Sequence, residues 1–221
     1  DPTLGVNGYA STEYVNANFT IDGTVSDNLP LSGTPVSIEV EDPNNDPVDL
    51  TGYSLTYETG PDPDTWEQTI PIGIDGEYTV EITATDAVGR TTVETRTVIL
   101  DTGAPGFVIN NIASDGSTQI NADSYTVTGT STDGSSGVDT VEYRLNGGTW
   151  TEATGTASWT AALSSLSDGL NQTIEIQATD NAGNTSAITS RDFDVDLANP
   201  TLEVTGGNTA ETLVYLNTDI Q

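Results

Sequence analysis

The chain has 221 residues and carries 34 acidic side chains against four basic ones, a formal charge of −30. A field of that sign repels phosphate backbones and excludes a nucleic-acid partner. Cysteine, methionine and histidine are all absent, which removes disulfides, thiolate and imidazole metal sites, and the Cys–His and Ser–His relays of nucleophilic catalysis.

Along the chain, apolar residues alternate over short runs separated by Gly, Pro, Asn and Asp, and no apolar set recurs at helical spacing. The first half predicts strands over Phe19–Val25, Val36–Val40, Tyr53–Tyr57, Trp66–Ile70, Tyr78–Ala84 and Thr92–Leu100. Its middle is extended by Pro43-Asn44-Asn45-Asp46-Pro47 and Pro61-Asp62-Pro63-Asp64, read as loops with an added edge hairpin. The second half predicts strands over Tyr125–Gly129 and Val141–Leu145, then a tight Asn146-Gly147-Gly148 hairpin leading into Trp150. Trp159–Leu163, Thr173–Ala178 and a strand ending at Asp192–Val195 complete it.

The halves are copies. Thr79-Val80-Glu81-Ile82-Thr83-Ala84-Thr85-Asp86-Ala87-Val88-Gly89 returns as Thr173-Ile174-Glu175-Ile176-Gln177-Ala178-Thr179-Asp180-Asn181-Ala182-Gly183, and Trp66 and Asp75-Gly76 return as Trp159 and Asp168-Gly169. A period of about 95 residues is one small β-domain. The expectation is an all-β, end-to-end array of immunoglobulin-like sandwiches of about seven strands each. Residues 1–103 and 104–198 form complete domains, and 199–221, where Pro200-Thr201-Leu202-Glu203-Val204 resembles Pro2-Thr3-Leu4-Gly5-Val6, begins a third that cannot fold alone. With no disulfide, side chains such as Trp159, Tyr143, Ile174 and Ile176 must close the core. No apolar run is long enough to insert in a membrane and no leader opens the chain, so the segment reads as part of a longer protein.

Ala178-Thr179-Asp180-Asn181-Ala182-Gly183-Asn184-Thr185-Ser186, the Asp-Gly before the preceding strand, and the junctions Asp101-Thr102-Gly103-Ala104-Pro105 and Asp196-Leu197-Ala198-Asn199-Pro200 resemble the bacterial Ig-like extender repeats of large RTX-type adhesins. The resemblance implies a type I-secreted, extracellular cell-surface protein, active in adhesion and biofilm, in which each repeat has neighbouring repeats of the same chain as partners. The glycine-rich nonapeptides of RTX blocks are absent, which places this segment in the extender part. The first copy departs from the pattern, with Ala87 and Arg90 where the second has Asn181 and Asn184.

The chemistry expected is calcium, because hard cations take six to eight oxygen ligands and this chain offers oxygen alone. In such a sandwich the loops after strands B and F lie at the N-terminal pole, beside the incoming linker. At the first junction these supply Asp101, Asp133 and Asp180, with Asp139, Asn181 and Asp75 as further donors. The N-terminal pole of the first domain is expected to hold a partial copy from Asp27, Asp86 and Asp1, and the second junction one from Asp194, Asp196 and Asp168. The alternative for each aspartate is a turn cap, and the alternative for the charge as a whole is salt adaptation without defined sites.

Catalysis is a poor fit, since pairs such as Asp62 and Asp64 carry little information in so acidic a chain. Trp66 and Trp159 recur and read as core. Trp150 and the 42–65 insertion are candidate contacts for a ligand, which would suit the competing class, a glycan- or protein-binding accessory module of a secreted protein.

Overall fold

The computed structural model describes residues 1–9, 12–60 and 63–201. Among these, the chain forms sixteen strands and no helix, in two sandwiches of eight strands each. Most of the expected third repeat lies outside the described residues, as do Pro61 and Asp62 of the insertion.

In the first domain one sheet is built from β1 (Thr3–Asn7), β3 (Phe19–Ser26), β6 (Asp64–Ile70) and β5 (Thr56–Glu58), in that order. The facing sheet runs β2 (Glu13–Val15), β8 (Thr91–Leu100), β7 (Gly76–Asp86) and β4 (Leu31–Glu41). The second domain repeats this with β9 (Gly106–Ile109), β11 (Ser124–Thr132) and β14 (Ser158–Ser164) in one sheet. Its facing sheet holds β10 (Thr118–Ile120), β16 (Thr189–Val195), β15 (Gly169–Asp180), β12 (Val138–Leu145) and β13 (Thr151–Glu152).

Each domain has one strand more than the pattern predicts, because its first strand is divided. β1 pairs antiparallel with β3, after which the chain crosses to the other sheet, where β2 pairs parallel with β8. The same division separates β9 from β10. Pieces of three to five residues are too short to show a period of two.

The middle of the first domain also differs from expectation. Tyr53–Tyr57 shortens to β5, which forms the added edge hairpin with β6, while Asp42 accepts the N–H groups of Asn44 and Asp46, closing a turn that brings Pro47 back to Glu41. β5 joins β6, whereas its counterpart β13 joins β12 in the opposite sheet. The tight Asn146-Gly147 turn, with φ of 50° and 70°, makes β13 the hairpin partner of β12, and the longer connection in the first copy carries β5 to the other edge instead.

Alternation does the packing. β14 buries every second residue, Trp159, Ala161 and Leu163, and β3 does the same with Phe19, Ile21, Gly23 and Val25. Each domain encloses its own core, centred on Trp66 at 2% exposure and Trp159 at 1%. Ile174 and Ile176 are fully buried, and half-buried Tyr143 packs on the same core while its hydroxyl donates to the Ala162 carbonyl.

Candidate functional site

The junction is assembled from three turns, each with a local reason to form. Asp101 follows β8, and its N–H donates to the Val15 carbonyl at 2.9 Å, so the last residue of the first domain is fixed to that domain's sheet. Asp133 opens the turn after β11, where its Oδ1 accepts the N–H groups of Ser135, Ser136 and Gly137. Asp180 ends β15 in a turn closed by Gly183, whose φ of 90° suits glycine, and its Oδ1 accepts the Asn184 N–H at 2.8 Å.

These turns bring one carboxylate oxygen each of Asp101, Asp133 and Asp180 within 4.8 Å of one another. Asp101 and Asp180 are both 2% exposed. The linker is stitched to the second domain: Ser136 N–H donates to Asp101 Oδ2 at 2.8 Å, and the Asn184 amide donates to the Asp101 carbonyl at 2.7 Å and to Asp180 Oδ2 at 2.9 Å. Burial pushes the Asp101 carboxyl up, but donors from Ser136 and Gly103 outweigh it and hold the group below its ordinary value. Among the described residues no arginine pairs with this triad, since the three ion pairs are Arg90–Asp86, Arg96–Glu94 and Arg144–Glu175.

Three like charges at this separation repel by roughly 3 kcal/mol per pair at an effective dielectric of about 20. The donor set is all oxygen and carries a formal triple negative charge, and no donor among the described residues reaches Asp133 Oδ2. That chemistry fits a hard divalent cation. Turn capping and clustering coexist, since Asp133 caps its turn with one oxygen and leaves the other free.

The remaining carboxylate candidates do not join the triad, and Asn181 lies on its loops. Asp139 is exposed on β12. Asn181 is exposed and bridges the two loops by donating its amide to the Ser136 and Gly137 carbonyls. Asp75 is exposed and accepts from the Thr102 N–H and hydroxyl, fastening the linker from the first-domain side. Asp168 takes the Leu197 N–H in the corresponding place at the second junction, where Asp194 accepts from Asn171 N–H and exposed Asp196 caps Ala198.

At the first domain's N-terminal pole, Asp1 is exposed and Asp27 Oδ1 caps the Leu29 N–H, while Asp27 Oδ2 is buried with no partner among the described residues. Asp86 is 1% exposed, and its Oδ2 receives the Arg90 Nε–H at 3.0 Å. Burial acts to raise the Asp86 carboxyl, and the Arg90 and Val88 N–H groups with the Arg90 charge bring it below the usual range. Trp150 lies under the Arg144 guanidinium, 4.5 Å from its ring centre.

Sequence reasoning missed Ser136 and Asn184 as parts of the junction. Asn184 had a signal, the Asn-to-Arg difference between copies at one turn position; Ser136 contributes its backbone N–H, which no side-chain motif encodes.

Two immunoglobulin-like sandwiches with this seam define the class. The chain belongs to the bacterial Ig-like domain family, whose profile matches residues 39–102 and 104–197. It is similar to the fibronectin(III)-like modules of Clostridium thermocellum CbhA, with 15% identity and a TM-score of 0.48 over 92% of this chain and 100% of that one. It is similar to a tetra-tandem repeat in the extending region of a large adhesion protein, with 23% identity and a TM-score of 0.36 over 89% of this chain and 49% of that one. A 1.5-MDa bacterial ice-binding adhesin shows the same identity and score over 89% of this chain and 65% of its own. No curated protein sequence matches the chain.

Proposed function

We propose that this chain is an extender segment of a secreted bacterial surface adhesin, in which calcium held between consecutive domains fixes their angle. The observation that carries this reading is the convergence of Asp101, which follows the first domain's last strand, with Asp133 and Asp180 of the second. A bound divalent ion supplies the positive charge that three carboxylates in one seam lack. Asp101 belongs to one domain and Asp133 and Asp180 to the other, so joint ligation resists bending between them. The protein's own part is to preform the turns: Ser136, Gly103 and Asn184 hold the carboxylates in place through hydrogen bonds.

The glycan- or protein-binding alternative draws no support from Trp150, whose ring already carries Arg144. Calorimetric melting of the chain in chelator and across a calcium titration tests the proposal, since binding to the native state alone raises Tm in proportion to the logarithm of free ligand above Kd. Small-angle scattering in the same samples should show the interdomain distance distribution narrowing with calcium. A Tm that responds to sodium chloride and calcium only through ionic strength would sink the proposal in favour of salt adaptation.

A further inference from the structure

The turns after β7 and β15, one at each N-terminal pole, share one backbone skeleton and differ in the side chain four residues after the aspartate. In the β7–β8 and β15–β16 turns the aspartate N–H donates to the carbonyl four residues on, Asp86 to Arg90 at 3.0 Å and Asp180 to Asn184 at 3.1 Å. The glycines at the third position of the two turns have φ of 86° and 90°, and each donates back to its aspartate carbonyl at 3.2 Å. Both aspartates accept the backbone N–H of that fourth residue on Oδ1, at 2.8 Å in each case. The side chain of the same residue then reaches Oδ2: the Arg90 guanidinium at 3.0 Å in the first domain, the neutral Asn184 amide at 2.9 Å in the second.

We infer that Arg90 is a resident counter-ion that takes the place of a divalent cation beside Asp86, so that the residue four positions after the aspartate ending β7 or β15 helps set whether a pole recruits metal, as the triad of Asp101, Asp133 and Asp180 does, or neutralises itself. This rests on the calcium reading for the second pole and extends it to a rule for the array. The Asp86 side chain has no exposure, whereas Arg90 is half exposed, so the guanidinium covers the carboxylate from the solvent side, the side from which an ion would arrive. A fixed positive charge beside Asp86 also repels a second cation. Asp86, grouped above with the metal ligands, is thereby assigned to an ion pair.

Two reciprocal substitutions in the full chain test this, read by calorimetric melting and calcium titration calorimetry. Asn184→Arg should weaken calcium binding at the junction by about tenfold or more and shrink the calcium-dependent rise in Tm, while leaving the protein folded in chelator. An undiminished calcium response in Asn184→Arg overturns the inference. Arg90→Asn should lower Tm in chelator, and calcium should recover part of the loss; Arg90→Lys, which keeps the charge, should lose less and gain no new calcium response. If Arg90→Asn melts in chelator like the parent, the inference fails. If the parent shows no calcium response at all, the calcium reading fails by itself, and Arg90 is still judged as a counter-ion by the chelator melts.

Discussion

Gly129 lies directly across from Trp159 in the β11–β14 ladder, and a Cβ on Gly129 would stand 2.1 Å from the indole Cζ2 and 2.2 Å from the Val108 carbonyl oxygen. Gly23 and Trp66 repeat the relationship in the first domain, with 2.5 Å to Cζ2 and 2.0 Å to the Gly5 carbonyl. Neither indole N–H has an acceptor among the described residues, and the glycine's missing side chain makes the room each ring occupies.

Gly129→Ala should therefore destabilise the second domain by about 3 kcal/mol or prevent its folding, since neither the indole nor the backbone carbonyl is a flexible chain end. Gly33→Ala, where a Cβ meets nothing within 4 Å, should change stability by less than about 0.5 kcal/mol. Urea denaturation followed by tryptophan fluorescence compares the two.

Asp133→Asn should act with opposite signs in the two metal conditions. Its amide oxygen can still cap Ser135, Ser136 and Gly137, while one of three mutually repelling charges disappears. The variant should melt higher than the parent in chelator and gain less from calcium. Equal gains from calcium in the two proteins would contradict a ligand role for Asp133.

Acid should weaken both poles. The Asp86 and Asp101 carboxyls lie below their ordinary value in the folded chain, so their contribution is present above the usual carboxylate range near pH 4 and is lost as pH falls through the lowered values. Melting between pH 6 and pH 2 in chelator should show this decline, and Arg90→Asn should reduce the part due to Asp86.

Alkali should weaken the first domain through a different group. Burial pushes the Tyr57 hydroxyl up to about 12, aided by its hydrogen bond to the Asp64 carboxylate and the charge of that group. The unfolded tyrosine gives up its proton near pH 10, before the folded one, so stability falls as pH rises from about 10 to about 12. Tyr57→Phe should flatten that part of the stability curve.

The sequence made most of this fold legible because alternation, turn residues and the repeat agree with one another. Wherever a strand spans several inward residues, as in β3, β11, β14 and β15, the pattern located it. It did not reveal the divided first strands or the switch of β5 and β13 between sheets, since those depend on connection length and on sheet edges, not on periodicity. At the site, Asp101, Asp133 and Asp180 could be grouped because a known sandwich topology brings their loops together. Asp75 and Asp168 could not be separated from them, because a carboxylate that fastens a linker and one that joins a cluster look alike in one dimension.

The anchoring of Asp101 in both sheet and seam means that the unit of folding and the unit of duplication are out of phase. A repeat cut at its apparent edge leaves behind a residue on which its successor closes, so a fragment intended to represent the second module alone should begin at Asp101 and not at Ala104. Swapping or deleting modules will succeed where each newcomer inherits a compatible tail from the one before it.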